Sequence, residues 1–252
     1  MQRDKIHIGT SGWQYSHWYG SFYPKNINFH KQLITFYAQK FQTVELNTSF
    51  YHVPSEKTIE EWIKATPQDF IFSYKVNRYI THMKKLNDPE EALKKLFTNL
   101  SYFGEKIGPI LFQLPPRWHK NIERFGEFIK QLTKDYRYAF EFRDRTWLDE
   151  DVYELLREYN IASCFYDFKA YQAPEIVTSD LIYIRLHGPH AAPYTGSYSR
   201  DKLAHYATKI HNWEKEGKLV YCYFDNDQNA YAPRDSQRLI EFLEKYSSEE
   251  QT

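Results

Sequence analysis

The chain has 252 residues, and its 33 Lys and Arg are matched by 33 Asp and Glu, so the formal net charge at pH 7 is zero. That balance excludes a strong overall pull on nucleic acid or an anionic membrane and leaves polyanion binding to local patches. Hydrophobic residues at 42% and charged ones at 26% exclude disorder as the main state, while 18% aromatic residues supply a sizeable core despite a mean hydropathy of −0.73.

From the amino end, β-rich runs alternate with helical patterns. A strand is expected at 6–9, then a helix at 30–39 and a strand at 43–47. Ser55 suits an N-cap for a helix that carries Ile59, Trp62 and Ile63 on one face and stops at Pro67. Strands follow at 71–76, 108–114 and 138–143, separated by helices at 89–103 and 121–132. Leu148, Val152, Leu155, Leu156 and Tyr159 then repeat at helical spacing behind an acidic first turn of Asp149, Glu150 and Asp151. A strand at 162–167 leads into residues 169–180, which hold Pro174 and show no helical period, so this crossover is expected to be degenerate. The last units are a strand at 181–188, a helix at 200–215, a strand at 219–226 and a helix that Asp235 would cap, with Leu239, Ile240, Leu243 and Tyr246 on its apolar face.

Eight strands and about seven helices predict an α/β fold: a single TIM-like (β/α)8 barrel spanning residues 1–252, with a degenerate helix after strand six. Such barrels take roughly 250 residues. An open doubly wound sheet fits less well, because the chain has only nine glycines and no G-x-G-x-x-G or Walker loop after its first strand. Cys164 and Cys222 both lie in apolar runs and offer neither a disulfide framework nor metal-ligand spacing. No apolar leader opens the chain, and no stretch approaches the roughly 18 apolar residues of a membrane span, so a cytoplasmic protein without membrane contact is expected.

Strand side chains alternate between two faces, which sorts each run into two sets. Val44 and Leu46, Phe72, Tyr74 and Val76, Tyr138, Phe140 and Phe142, and Ile182, Ile184 and Leu186 are expected toward the helices. The opposite set is Glu45 and Asn47, Ile71, Ser73 and Lys75, Ala139, Glu141 and Arg143, and Leu181, Tyr183, Arg185 and His187. Gln113, Asp167 and Asp225 are expected to complete a ring of inward polar groups at the carboxyl ends of the strands, where barrels of this type carry their sites. The first βα loop, residues 10–24, is strongly aromatic. Trp13 and Tyr15 are candidates for stacking on a sugar or base, whereas Trp18, Tyr19, Phe22 and Tyr23 are expected to pack beneath the loop.

Several of these segments carry a resemblance. Gly9-Thr10-Ser11-Gly12-Trp13, Trp18 to Pro24, Val44-Glu45-Leu46-Asn47 with Ser49-Phe50-Tyr51, Lys75 with Ile80-Thr81-His82, and Gln113-Leu114-Pro115-Pro116 form one part of it. Glu141-Phe142-Arg143 with Trp147, Arg185-Leu186-His187-Gly188 and the run Tyr221 to Asp227 form the other. Together they resemble the YecE-like family, the domain of unknown function 72, over nearly the whole chain. The resemblance implies a TIM-like barrel and no particular reaction.

In the inward ring, Glu45, Glu141, Asp167 and Asp225 face Lys75, Arg143 and Arg185, with His187 able to add positive charge. One interpretation is a structural layer of ion pairs. The other, preferred because the polar set gathers at one end of the strands, is a functional mouth. There Glu141, Glu45, Lys75 and His187 would carry acid–base chemistry, and Arg143, Arg185, Asn47, Gln113, Asp225, Asn226, Trp13 and Tyr15 would bind substrate. The expected substrate is a small phosphorylated or carboxylated molecule, and the reaction an isomerisation, elimination or hydrolysis. Nucleic-acid binding or phosphodiester processing is an alternative, as is a non-catalytic ligand-binding protein. The loop containing Thr195-Gly196-Ser197 offers a weaker phosphate cradle. The cofactor is left open, and no metal is expected, because the nearby cations would compete with an ion for the carboxylates. Oligomeric state is left open.

Overall fold

A computed structural model describes residues 5–27, 30–169 and 171–249. In chain order the strands are β1 (Ile6–Thr10), β2 (Thr43–Leu46), β3 (Ile71–Lys75), β4 (Ile107–Leu114), β5 (Tyr138–Phe142), β6 (Ala162–Ser163), β7 (Phe165–Phe168), β8 (Tyr171–Gln172), β9 (Leu181–Leu186) and β10 (Leu219–Phe224). The helices are α1 (His30–Ala38), α2 (Glu56–Lys64), α3 (Glu90–Ser101), α4 (Ile122–Ile129), α5 (Glu150–Glu158), α6 (Arg200–Lys215) and α7 (Tyr231–Glu249). Two five-stranded sheets result, ordered β1-β10-β9-β7-β8 and β2-β3-β4-β5-β6. The chain divides into two compact units, one of Met1–Val44, Phe165–Ala173 and Ile182–Thr252, the other of Glu45–Cys164 and Pro174–Leu181.

In the first unit β1 runs parallel to β10, with Ile8 opposite Cys222, and β7 runs parallel to β9, with Tyr166 opposite Arg185. The close approach of β1 to the start of β2 explains Gly9, since a Cβ there would press into the Thr43 carbonyl oxygen. Tyr37 of α1 bridges the same two strands. Its hydroxyl receives the Thr10 amide at 2.9 Å and donates to the Thr43 carbonyl at 3.1 Å. Beneath the first loop, Trp18 and Tyr23 are buried, and Phe22 meets Phe36, Tyr37 and Phe41 ring to ring. This is the expected satellite core, except that Tyr19 keeps 39% of its surface exposed.

The second unit shows why the alternation of the sequence could be read so directly. Phe140 and Phe142 of β5 pack edge-on against Phe125 of α4, and Phe72 and Tyr74 of β3 pack against Phe103 beyond the end of α3. Ser55 caps α2 by accepting the Thr58 amide at 3.2 Å, as its position predicts. Asn121 and Asp149 cap α4 and α5 in the same way.

Three expectations change in detail. The sixth strand is interrupted at Cys164: β6 pairs with β5, and β7 pairs with β9. The degenerate crossover contains no helix among its described residues, Ala170 lying outside them, and instead forms β8 antiparallel to β7. Asp235 is not an N-cap. The last helix begins four residues earlier at Tyr231, with Pro233 tolerated in a first turn whose amides lack intrahelical partners, and this leaves Asp235 buried inside the helix.

Because the obstruction at Gly9 is backbone, Gly9→Ala should lower unfolding free energy by about 1–3 kcal/mol, the usual cost of overpacking. Urea denaturation checks this, and an unchanged midpoint would refute the close-approach explanation.

Candidate functional site

Each unit carries its own set of polar side chains near the carboxyl ends of its strands. In the second unit, register builds the set row by row. Lys75 of β3 stands opposite Leu111 of β4, which stands opposite Ala139 of β5; one row further on, Gln113 stands opposite Glu141. Lys75, Gln113 and Glu141 therefore share the face that the aromatic rings leave free. Glu141 is fully buried and forms an ion pair with Arg143 Nε, two residues along, whose side chain is 7% exposed. Lys75 is buried, donates to Asn47 Oδ1 at 3.1 Å and lies 4.5 Å from the Phe50 ring centroid. Glu45 is fully buried.

The loops after β2 and β3 are tied together. Asn77 Nδ2 donates to the Ser49 carbonyl at 3.1 Å, and the Ser49 hydroxyl lies 2.6 Å from both the Leu46 and the Lys75 carbonyl oxygens. A π-helical turn, Tyr79–Met83, follows β3. It carries His82, whose ring stands edge-on to Phe50 at 5.0 Å and whose Nδ1 meets the Thr81 hydroxyl at 2.9 Å. Burial is the main reason that the His82 pKa falls from 6.5 to about 4; Lys75, Arg78 and Arg143 lower it further, and Glu141 opposes them. Lys85, Leu86 and Asp88 then take positive φ, a costly conformation for residues other than glycine, with Leu86 held by its burial.

The set in the first unit is linked by hydrogen bonds. Arg185 Nη2 donates to Asp225 Oδ2 at 3.1 Å and to Ser11 Oγ at 3.2 Å. Arg185 Nη1 lies 3.3 Å from His187 Nε2, and His187 Nδ1 lies 2.8 Å from Asp225 Oδ2. A guanidinium only donates, so Nε2 is the acceptor and the imidazole proton sits on Nδ1, directed at Asp225. Phe168 and Tyr194 stand edge-on to the His187 ring. Trp13 is buried, so it presents no open stacking face. Tyr15 stays half exposed, with its ring against Trp18 at 4.8 Å and its hydroxyl on the Ser11 carbonyl.

Asn226 belongs to a different arrangement. Its Nδ2 donates to Asp235 Oδ2 at 2.9 Å and to the Gly196 carbonyl at 2.8 Å. Asp235 also receives the Tyr198 amide, the Ser197 hydroxyl and Arg238. These bonds fasten the loop after β9, and the Gly196 amide, read from the sequence as a phosphate cradle, lies 3.3 Å from Gln228 Oε1.

One inward assignment is corrected. Asp167 stands in register with Leu186, and Tyr166 with Arg185, so Tyr166 shares the face of Arg185 while Asp167 points the other way. Its carboxylate accepts the Tyr198 hydroxyl at 2.5 Å and the His187 amide at 2.8 Å, partners that make the helix side habitable for an acid. Within the second unit the structure thus gathers Asn47, Lys75, Gln113, Glu141 and Arg143, and within the first Arg185, His187 and Asp225. Reading the sequence missed Ser49, Phe50 and His82. The available signal was residues 70–87, which hold four Lys or Arg and no acid around His82.

Comparison with known proteins bears on the whole chain. The profile of the family described as "Protein of unknown function DUF72" matches residues 7–252. The UPF0759 protein YunF of Bacillus subtilis is 23% identical over 95% of each chain, and the UPF0759 protein YecE of Escherichia coli K12 is 26% identical over 55% of this chain and 48% of that protein. The crystal structure of a DUF72 family protein from Thermotoga maritima superposes with a TM-score of 0.85 at 26% identity, covering 95% of this chain and 99% of the other. No helix among the described residues is long and apolar enough to cross a membrane.

Two titrations test the geometry. By NMR, His82 should titrate near pH 4, and Lys75→Ala should raise that midpoint; titration near 6.5 in the native protein would contradict the burial and the cationic surroundings. Burial pushes the Asp167 carboxyl from 3.8 up to about 6, against the opposing bonds from Tyr198 and His187. The folded state then holds this proton more tightly than the unfolded chain, so its contribution is present at low pH and is lost as pH rises from about 4 to about 6. Relative to Asp167→Asn, the native protein should lose on the order of 2 kcal/mol across that window in urea denaturation. Parallel pH profiles would refute it.

Proposed function

We propose, for a chain that belongs to the DUF72 family of unknown function, that the polar set of the second unit is an anion-binding acid–base site. One observation carries this. Among the charged groups that act on His82 are three cations, Lys75, Arg78 and Arg143, and the carboxylate of Glu141. Positive charge around a neutral imidazole suits an anionic group on the substrate. Its location adds support, because ligands of parallel α/β sheets bind beyond the carboxyl ends of the strands.

In this reading Lys75 and Arg143 hold the anion, the lysine as a point charge and the arginine by its planar fork. Glu141 orients Arg143, and Asn47 orients Lys75. His82 exchanges the proton. At a pKa near 4 it is a weak base in the empty site, but a bound anion offsets the three cations and raises its affinity for a proton. The base is thereby strengthened when substrate is present. Arg185, His187 and Asp225, which bond to one another, are read as an ion-pair layer of the first unit rather than as part of the reaction.

The same reading takes the fold as a (β/α)8 barrel. Support comes from the strand order, from β6 and β7 as two parts of one interrupted run, and from the Tyr37 bridge between β1 and β2. An experimentally determined structure with an open β1 or β2 edge would overturn this.

Titration with inorganic phosphate tests the site. Phosphate should bind by calorimetry and raise the His82 midpoint seen by NMR, and Lys75→Ala should weaken binding by about tenfold, the equivalent of one charge-assisted hydrogen bond. Binding that leaves the His82 midpoint unmoved, or that Lys75→Ala does not weaken, would reject the assignment.

A further inference from the structure

Seven large apolar side chains remain exposed among the described residues, and four of them, Tyr51, Val53, Tyr79 and Met83, stand in the loops after β2 and β3. Tyr51 is 60% and Met83 67% exposed. Clustered exposed apolar groups beside polar ones mark a surface that something else covers. Here they adjoin the proposed anion site. The Phe50 ring has Tyr51 at 5.0 Å on one side, His82 at 5.0 Å, and the Lys75 ammonium 4.5 Å from its centroid. Tyr79 and Met83 lie on the same π-helical turn as His82, and the Tyr79 amide is fixed by Asn77 Oδ1 at 3.0 Å. That turn runs into the left-handed residues Lys85 and Leu86, and the Leu86 amide closes back on the Ile80 carbonyl at 3.0 Å.

The chemistry of this surface is therefore mixed. Arg78, Lys84 and Lys85 are interleaved there with Tyr79 and Met83, Lys84 pairing with Asp88 at 3.5 Å, Lys75 is buried, and Tyr51 adds a second exposed ring from the neighbouring loop. A bare anion or a small aliphatic carboxylate would use the cations and leave the rings in water. A ligand with a flat ring joined to a phosphate uses both, because aromatic side chains stack on planar heterocycles whatever their substituents, while Lys and Arg meet the phosphate.

We propose that the site of the second unit takes a nucleoside phosphate, with its phosphate on Lys75 and Arg143 and its base against Tyr51 and Tyr79. This rests on the anion-site reading above and adds the substrate class. Tyr51 and Tyr79 act here as specificity residues and touch no reacting atom.

Calorimetry with AMP, ribose 5-phosphate, inorganic phosphate and a short single-stranded oligothymidylate separates the outcomes. AMP should bind at least about tenfold more tightly than ribose 5-phosphate, the gain expected for one stacked base. Tyr51→Ala combined with Tyr79→Ala should abolish that advantage and leave ribose 5-phosphate binding within about twofold, since stacking alone is removed. Both residues are exposed, so the variant should fold, and circular dichroism confirms it. Equal binding of AMP and ribose 5-phosphate, or an AMP advantage that survives the double substitution, overturns the nucleoside assignment while leaving the anion site standing. Binding of the oligonucleotide without AMP also overturns it, in favour of a nucleic-acid strand. Failure of all four probes removes the anion site and this assignment with it.

Discussion

A carboxylate with no exposure to solvent is tolerated only when a cation and hydrogen-bond donors are fixed against it, and Glu141 is such a group. Its partner Arg143 comes from the same strand run two residues later, so a single alternation of β geometry delivers both members of the pair to one face. Removing either would strand a buried charge. The pair therefore holds the end of β5 in one conformation, and Lys75, Gln113 and Asn47 are arranged around it by the register of the neighbouring strands. The positive charge felt by His82 follows from that arrangement.

The same constraint is met differently in the first unit. Arg185 is fully buried, and its guanidinium donates to Asp225 and Ser11 and meets His187, which holds the imidazole in one tautomer. Asp235 repeats the pattern inside α7, where one buried carboxylate collects Tyr198, Ser197, Asn226 and Arg238 and thereby fastens the loop after β9. Groups bonded in this way confer rigidity. In the second unit, by contrast, three cations lower the His82 pKa, and exposed rings stand in the loops that carry it.

Much of this was legible in the sequence because it depends on local rules. The division of residues 138–143 into an aromatic face and a charged face needs only the two-residue period of a strand, and Phe140, Phe142, Glu141 and Arg143 obey it. Ser55 was legible as a cap for the same local reason. Asp167 was not, because polarity alone suggested the inward face, and the Tyr198 hydroxyl that makes the helix side acceptable comes from 31 residues away. Asp235 misled in the same manner, since an acid ahead of an apolar run looks like a cap until a loop forty residues earlier supplies its partners. His82 offered no local signal of its own, because its depressed pKa comes from burial and from Lys75, Arg78 and Arg143, which the fold brings near it.

The sequence by itself determined the alternating βα order and, in β3 and β5, the aromatic and the charged face of the strand, because these follow from periodicity and from residue chemistry within a few positions. Only the tertiary structure decided which charges meet and which aromatic rings stay in water. Those outcomes depend on contacts between residues distant in the chain, and the free energy of a buried charge is governed by its neighbours rather than by its own identity.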